Sequence, residues 1–197
     1  MNDVYVGGES GSQGILDYIK KDCTVEDITN AVRQVTEAGI ELWTNFMCGF
    51  PEETVEDVQK SIELIDFLNL TYKDKICIGT MFLYAPCPGT PLYYDVLKAG
   101  FTPPKTFEEW GHFIIGDRSH TMWHPFIDYI SAVSLCSKWG RKFNLKKSLK
   151  RLYRLNIPGI LIDLLGAIAY YRWKKKKFSY SIDLKVLRAI NRFFYKV

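Results

Sequence analysis

The chain has 197 residues, of which 47% are hydrophobic and 24% charged, which suits one domain carrying an appendage and a sizeable core. Its five cysteines (Cys23, Cys48, Cys77, Cys87, Cys136) form no CxxC or CxxxCxxC pattern and no secretory signal opens the sequence, so the chain has no metal or cluster motif of its own and reads as a cytoplasmic protein with reduced thiols. Charge is divided: residues 1–137 hold nine Lys/Arg against twenty Asp/Glu, and residues 138–197 hold seventeen against two, a net of +15, which points the basic end at an anionic surface or an acidic partner.

In chain order, Val4-Tyr5-Val6 reads as a short strand, and Gly7-Gly8-Glu9-Ser10-Gly11-Ser12 as the loop at its end. Gly14–Lys21 reads as a short helix with Ile15, Leu16 and Ile19 inward. Thr24-Val-Glu-Asp27 is a capping box. It starts a longer helix whose inner face is Val25, Ile28, Ala31, Val32, Val35 and Ala38, stopped by Gly39. The plan then repeats: a strand at Glu41–Cys48, a sharp turn at Gly49-Phe50-Pro51, and a second Thr-Val-Glu-Asp at Thr54–Asp57. The second helix faces inward through Val55, Val58, Ile62, Ile65 and Leu68, and Lys75–Leu83 is a third strand. Alternating strands and helices at this period indicate parallel βαβ units. A strand, a glycine turn and a capped helix together form the junction where α/β folds bind ligands, although an ordinary βα turn has the same features.

Pro86 and Pro88 keep the segment after the third strand extended, and Thr90-Pro91 starts another helix. Residues 101–125 are loop-rich, with Trp110, His112, His120, Trp123 and His124. The three histidines match no standard metal spacing, so packing or solvated histidines are expected. From about Ile127 the chain turns helical, then basic. Ile157–Tyr171 is apolar but interrupted by Asp163, and is short for a membrane span, which needs about twenty residues. With Trp173, Lys174–Lys177 and an amphipathic helix at Leu184–Tyr195, two readings stand: a helix resting on anionic lipid headgroups, or a basic face packed on the acidic half.

Gly-Gly-Glu-Ser-Gly-Ser at one strand end, Lys21 twelve residues beyond Glu9, Asn-Phe-Met-Cys-Gly-Phe-Pro-Glu-Glu-Thr at the next, and Pro-Gly-Thr-Pro-Leu-Tyr after the third come in this order. Together they resemble radical S-adenosylmethionine enzymes over roughly residues 3–110, most closely the subgroup with a cobalamin (B12)-binding domain. The resemblance implies an α/β fold, the C-terminal half of a partial (β/α)6 TIM-like barrel. It also implies a set of S-adenosylmethionine contacts. Glu9 and Ser10 would lie near ribose and methionine, Lys21 at the methionine carboxylate, and Asn45 at the ribose hydroxyls. Gly49, Phe50, Tyr84 and Ala85 would lie beside adenine. A diol needs an acceptor, a carboxylate suits a cation on a flexible stem, and adenine suits an apolar slot. Glu52 replaces the family's glycine in the turn.

The expected organisation is residues 1–100 as half of a barrel core, 101–137 as an aromatic loop segment and 138–197 as a basic helical extension. The first three strands and the cluster loop of the family have no counterpart here. The resemblance therefore implies the S-adenosylmethionine-binding half of a split or truncated radical enzyme, inactive alone. Its [4Fe–4S] cluster and any cobalamin would be ligated outside this chain, and an N-terminal half would come from another chain. The rival is a non-enzymatic half-barrel that docks on a partner protein or on the inner face of the membrane. No nucleic-acid partner is expected.

Overall fold

The computed structural model describes residues 3–111, 123–139 and 159–179. The chain divides into two compact units, Met1–Ile127 and Asp128–Val197. The first holds β1 (Asp3–Glu9), α1 (Gln13–Tyr18), α2 (Val25–Glu37), β2 (Glu41–Cys48), α3 (Val55–Tyr72), a 3-10 turn at Lys73–Lys75, β3 (Ile76–Leu83), α4 (Pro91–Lys98) and α5 (Phe107–Gly111). The second holds α6 (Ile127–Trp139) and α7 (Gly159–Lys175). The strands form one sheet in the order β1-β2-β3, parallel at both pairings. The fold is thus α/β with a small parallel sheet, built from the three strands read in the sequence.

Both long helices begin as their sequence dictates. The Thr24 hydroxyl accepts the Asp27 N–H at 3.0 Å, and the Asp27 carboxylate accepts the Thr24 N–H at 2.8 Å. Thr54 and Asp57 repeat the exchange at 3.2 and 3.1 Å. Each box satisfies amide donors that a helix start otherwise leaves unpaired. Pro91 occupies the first turn of α4 behind Thr90, as expected.

Strand alternation divides the sheet into two faces. On β2, Leu42, Thr44, Phe46 and Cys48 are buried, whereas Trp43 and Met47 are half-buried and Asn45 is exposed. The buried face is the one that α2 and α3 cover, contributing Ile28, Val32, Val58, Ile62, Ile65 and Leu68 to the core. From β3 the core takes Ile76 and Ile78, then Met81 and Leu83. The phase slips because the β2–β3 register shifts between Thr44 and Phe46. The β1–β2 register shifts between Gly7 and Glu9. Both neighbours of β2 are therefore irregular around Asn45, and bulges of this kind re-aim side chains next to functional sites.

The helix faces differ from the apolar lists in detail. Ala38 is exposed and Val55 half-buried, while the polar Ser61 and Thr36 are buried. Thr36 is satisfied within its helix, donating to Val32 O at 2.8 Å. Ser61 is satisfied from the segment after β1: Gly11 N–H donates to its hydroxyl at 2.8 Å, and Ser10 Oγ lies 3.1 Å from it. Gly11 is required here, since a Cβ would come within 2.6 Å of Lys60 O.

In the second unit, Arg172 is buried and caps the end of α7, donating from Nη2 to Phe178 O at 2.6 Å and from Nε to Lys177 O at 3.0 Å. Among the described residues no helix is long and apolar enough to cross a membrane. His112, His120 and the expected helix at Leu184–Tyr195 lie outside the described residues.

Candidate functional site

The uncovered face of the sheet opens into a cavity of about 790 Å³, within the range of small-molecule sites. It runs from the middle of the strands to their carboxyl ends. Of the eight residues carried over from the family pattern, Glu9, Lys21, Asn45, Phe50, Tyr84 and Ala85 all line it. Ser10 and Gly49 are not among its lining residues.

Glu9 reaches the cavity through a backbone turn. Its φ is +55°, and Ser10 N–H donates to Gly8 O at 2.7 Å across it. An i-to-i+2 turn with positive φ is rare and strained for a non-glycine residue, and such strain concentrates at functional sites. The Glu9 carboxylate accepts Lys21 Nζ at 3.3 Å, with both side chains partly exposed. Lys21 itself sits where α1 ends, its N–H donating to Leu16 O at 2.9 Å. The pair lies over Gly7, where a Cβ would overlap Glu9 Oε1 and stand 3.2 Å from Lys21 Nζ.

The stretch after Glu9 turns the other way. Ser10 is fully buried against Ser61, and Ser12 Oγ donates to Asp57 Oδ1 at 2.6 Å. Burial pulls the Asp57 carboxyl upward, but the hydrogen bonds from Ser12, Thr54 and Lys60 outweigh it and hold its pKa at about 2. One side of this segment thus fastens β1 to the start of α3, while Glu9 alone faces the cavity.

Asn45 stands at the centre of the open face, paired in register with Gly7. On its other side its amide oxygen lies over Gly79, where a Cβ would overlap Oδ1. Gly7, Asn45 and Gly79 therefore form a row across the sheet in which only the middle residue carries a side chain. The amide is exposed to the cavity and has no hydrogen-bond partner among the described residues. A strand asparagine buried without a partner would cost free energy; exposure removes that cost and leaves the amide available to a ligand.

The far wall is apolar. Phe50 and Tyr84 are buried with ring centroids 5.3 Å apart. They pack in one cluster with Ile15, Val96 and Phe101, flanked by Met47, Leu92 and Trp123. Tyr84 N–H donates to Cys48 O at 2.8 Å, which carries the β2–β3 pairing to the cavity rim.

Two buried groups stand behind this wall: Glu53, which sequence reasoning did not single out, and His124, expected to be packed or solvated. Gly49 has φ +88°, and its N–H donates to Glu53 Oε2. Glu53 N–H in turn donates to Phe50 O at 3.0 Å, closing a turn with Pro51 in its second position. Glu53 is 3% exposed and its Oε1 has no partner. Burial raises its pKa to about 8 against the opposing hydrogen bonds from Gly49 and Phe50. His124 Nε2 donates to Phe50 O at 3.1 Å, and its Nδ1 accepts the Phe126 N–H at 3.2 Å. Burial lowers the His124 pKa and keeps the ring neutral. Both ring nitrogens are engaged, so His124 is a packing residue of this turn. Among the described residues no three or more His, Cys, Asp or Glu side chains gather as metal ligands.

No protein-family model matches the chain. It is similar over 85 residues, at 35% identity, to a tRNA-2-methylthio-N(6)-dimethylallyladenosine synthase from Buchnera aphidicola, covering 42% of this chain and 18% of that enzyme. It is 36% identical over 90 residues to an uncharacterized methyltransferase from Pyrococcus horikoshii, covering 46% of this chain and 18% of that protein. An Aeromonas hydrophila synthase of the first kind is 34% identical over 85 residues, 42% of this chain and 17% of the enzyme. The matched part is thus under a fifth of the length of these curated relatives. These likenesses support the radical S-adenosylmethionine resemblance in its broad form and do not single out the cobalamin-binding subgroup.

Proposed function

We propose that this chain supplies the S-adenosylmethionine-binding portion of a radical S-adenosylmethionine enzyme, built as part of a (β/α)6 barrel. The observation that carries the reading is the convergence of Glu9, Lys21, Asn45, Phe50, Tyr84 and Ala85 on one cavity at the carboxyl ends of parallel strands. S-Adenosylmethionine fits the donor set. Its ribose diol finds an unpaired amide in Asn45 with glycine on either side, so the sugar meets backbone rather than side chains. Its carboxylate finds the Lys21 ammonium, which a ligand can take over from Glu9. Its adenine finds the Phe50–Tyr84 wall. The names of the relatives, a methylthio-bearing nucleoside synthase and a methyltransferase, favour transfer of a methyl-bearing group in the complete enzyme.

The iron–sulfur cluster that such an enzyme uses does not fit the residues described here. Cys48 is buried on the helix-covered face, with burial raising its thiol pKa, while Cys87 is exposed. Clusters need several thiolates gathered together. In this reading other residues ligate the cluster, and cobalamin has no part in what this chain does. The chain's own contribution is to bind and orient the cosubstrate.

Saturation-transfer NMR on the purified chain should show magnetisation reaching the adenine and ribose protons of S-adenosylmethionine. Asn45→Leu should weaken binding about tenfold or more, since it leaves the diol unpaired against an apolar wall. Anaerobic incubation with iron and sulfide should leave the chain without a stoichiometric [4Fe–4S] spectrum. Absence of transfer to S-adenosylmethionine, or a stable cluster on this chain alone, overturns the proposal.

A further inference from the structure

We propose that α7 is a docking helix for an anionic lipid surface, lying flat with Leu164, Ile168 and Tyr171 towards the acyl boundary and Lys174, Lys175 and Lys177 among the headgroups. Three observations meet on this helix. The first is a stripe: Leu164, Ile168 and Tyr171 fall at i, i+4 and i+7, one face of a helix. They are 55%, 36% and 56% exposed. The opposite face is buried, through Gly166, Ala169 and Trp173. The second is charge. The stripe runs directly into Lys174 and Lys175, both exposed, with Lys177 exposed in the next turn, inside a segment of net charge +15 over residues 138–197. The third is an aromatic anchor. Lys176 Nζ stands 5.3 Å over the Trp173 ring, and Trp173 is held edge-on by Phe178 at 6.2 Å. This fixes the lysine cluster relative to the stripe.

The juxtaposition selects the partner. A phosphate backbone alone, as in RNA, would use the lysines and gain nothing from exposed Leu164 and Ile168. An apolar protein groove would use the stripe and leave the lysines idle. A negatively charged bilayer surface takes both, the geometry of interfacial helices. Such a helix does not cross the hydrocarbon.

The test uses the full chain in co-sedimentation with vesicles of pure phosphatidylcholine and of phosphatidylcholine mixed with phosphatidylglycerol. Each basic residue close to an anionic surface raises affinity about fivefold. The protein should pellet with the anionic vesicles at about 0.1 M salt and much less at about 1 M, where the screening length falls from about 10 to about 3 Å. Lys174→Gln/Lys175→Gln/Lys177→Gln should reduce anionic-vesicle binding by at least tenfold. Ile168→Asp/Tyr171→Asp should remove the salt-resistant remainder. Both variants change exposed positions, and unchanged far-UV circular dichroism will show that the fold survives. Failure to bind anionic vesicles at low salt overturns the proposal, as does binding that neither variant weakens. Binding to duplex RNA without binding to vesicles overturns it in favour of a nucleic-acid surface.

Discussion

Thermal or urea unfolding of this protein should show stability falling as pH rises from about 4.5 to about 8, and Glu53→Gln should abolish that fall. Glu53 is 3% exposed and titrates at about 8 in the fold against 4.5 when unfolded. Its folded pKa is raised, so within that window the folded state keeps a proton that the unfolded state has released. The acid's contribution is complete below pH 4.5 and lost progressively up to about pH 8. At about 1.4 kcal/mol per pH unit the loss is on the order of 5 kcal/mol, a large share of a typical domain's stability. Glutamine keeps an oxygen to accept the Gly49 N–H but cannot ionise, so the variant should be the more stable protein at pH 8. His124, held neutral by burial, acts in the opposite direction, and only below its ordinary pKa of about 6.5. It is present in both proteins, so the difference between the two curves isolates Glu53. Parallel curves for the two proteins would show that the carboxyl is solvated and that the turn is held by other contacts.

That turn also shows where sequence reading stops. The three strands, both capping boxes and the Thr90-Pro91 helix start were legible because each rests on local chemistry: period-two alternation, a hydroxyl three residues before a carboxylate, a proline whose missing N–H costs nothing at a helix start. Glu53 was not, because a glutamate is ordinarily solvent-facing. Only the fold reveals that it turns back to the Gly49 N–H. Its signal was the glycine four residues upstream in a turn closed by Pro51. Ser10 was carried onto the ligand side together with Glu9, yet neighbouring residues at a strand end face opposite ways, and Ser61 on α3 claims Ser10. The burial of Ser61 was equally hidden, since an apolar-face count discards serine and the partners lie 50 and 51 residues away. For Asn45 the place in the strand was legible and its exposure was not, because whether a sheet face is covered is not written in β2.

Gly79→Ala should leave the fold at least as stable while reducing S-adenosylmethionine binding by about tenfold or more. The two effects separate because of what the added methyl meets. At Gly79 it overlaps only the amide oxygen of Asn45, the end of a side chain that can rotate into the cavity. No positive φ stands in the way, since the positive-φ glycines are Gly39, Gly49, Gly89 and Gly100. Replacing glycine by alanine at a compatible backbone position stabilises by about 0.4–1 kcal/mol through the unfolded chain, which offsets the cost of turning Asn45. The site fares differently, because the amide leaves the row it shares with Gly7 and Gly79 and the strip of bare backbone narrows. Gly7→Ala attacks the same row from the other side, where the methyl displaces the Glu9 carboxylate and crowds Lys21. It should weaken binding through the methionine end rather than the ribose. The Asn45 side-chain NH2 resonances give a readout that needs no ligand: they should shift strongly in Gly79→Ala and little in a variant at exposed Gly14. If both glycine variants bind S-adenosylmethionine as the parent does, the row is not where the cosubstrate lies, whatever the fold of the strands that carry it.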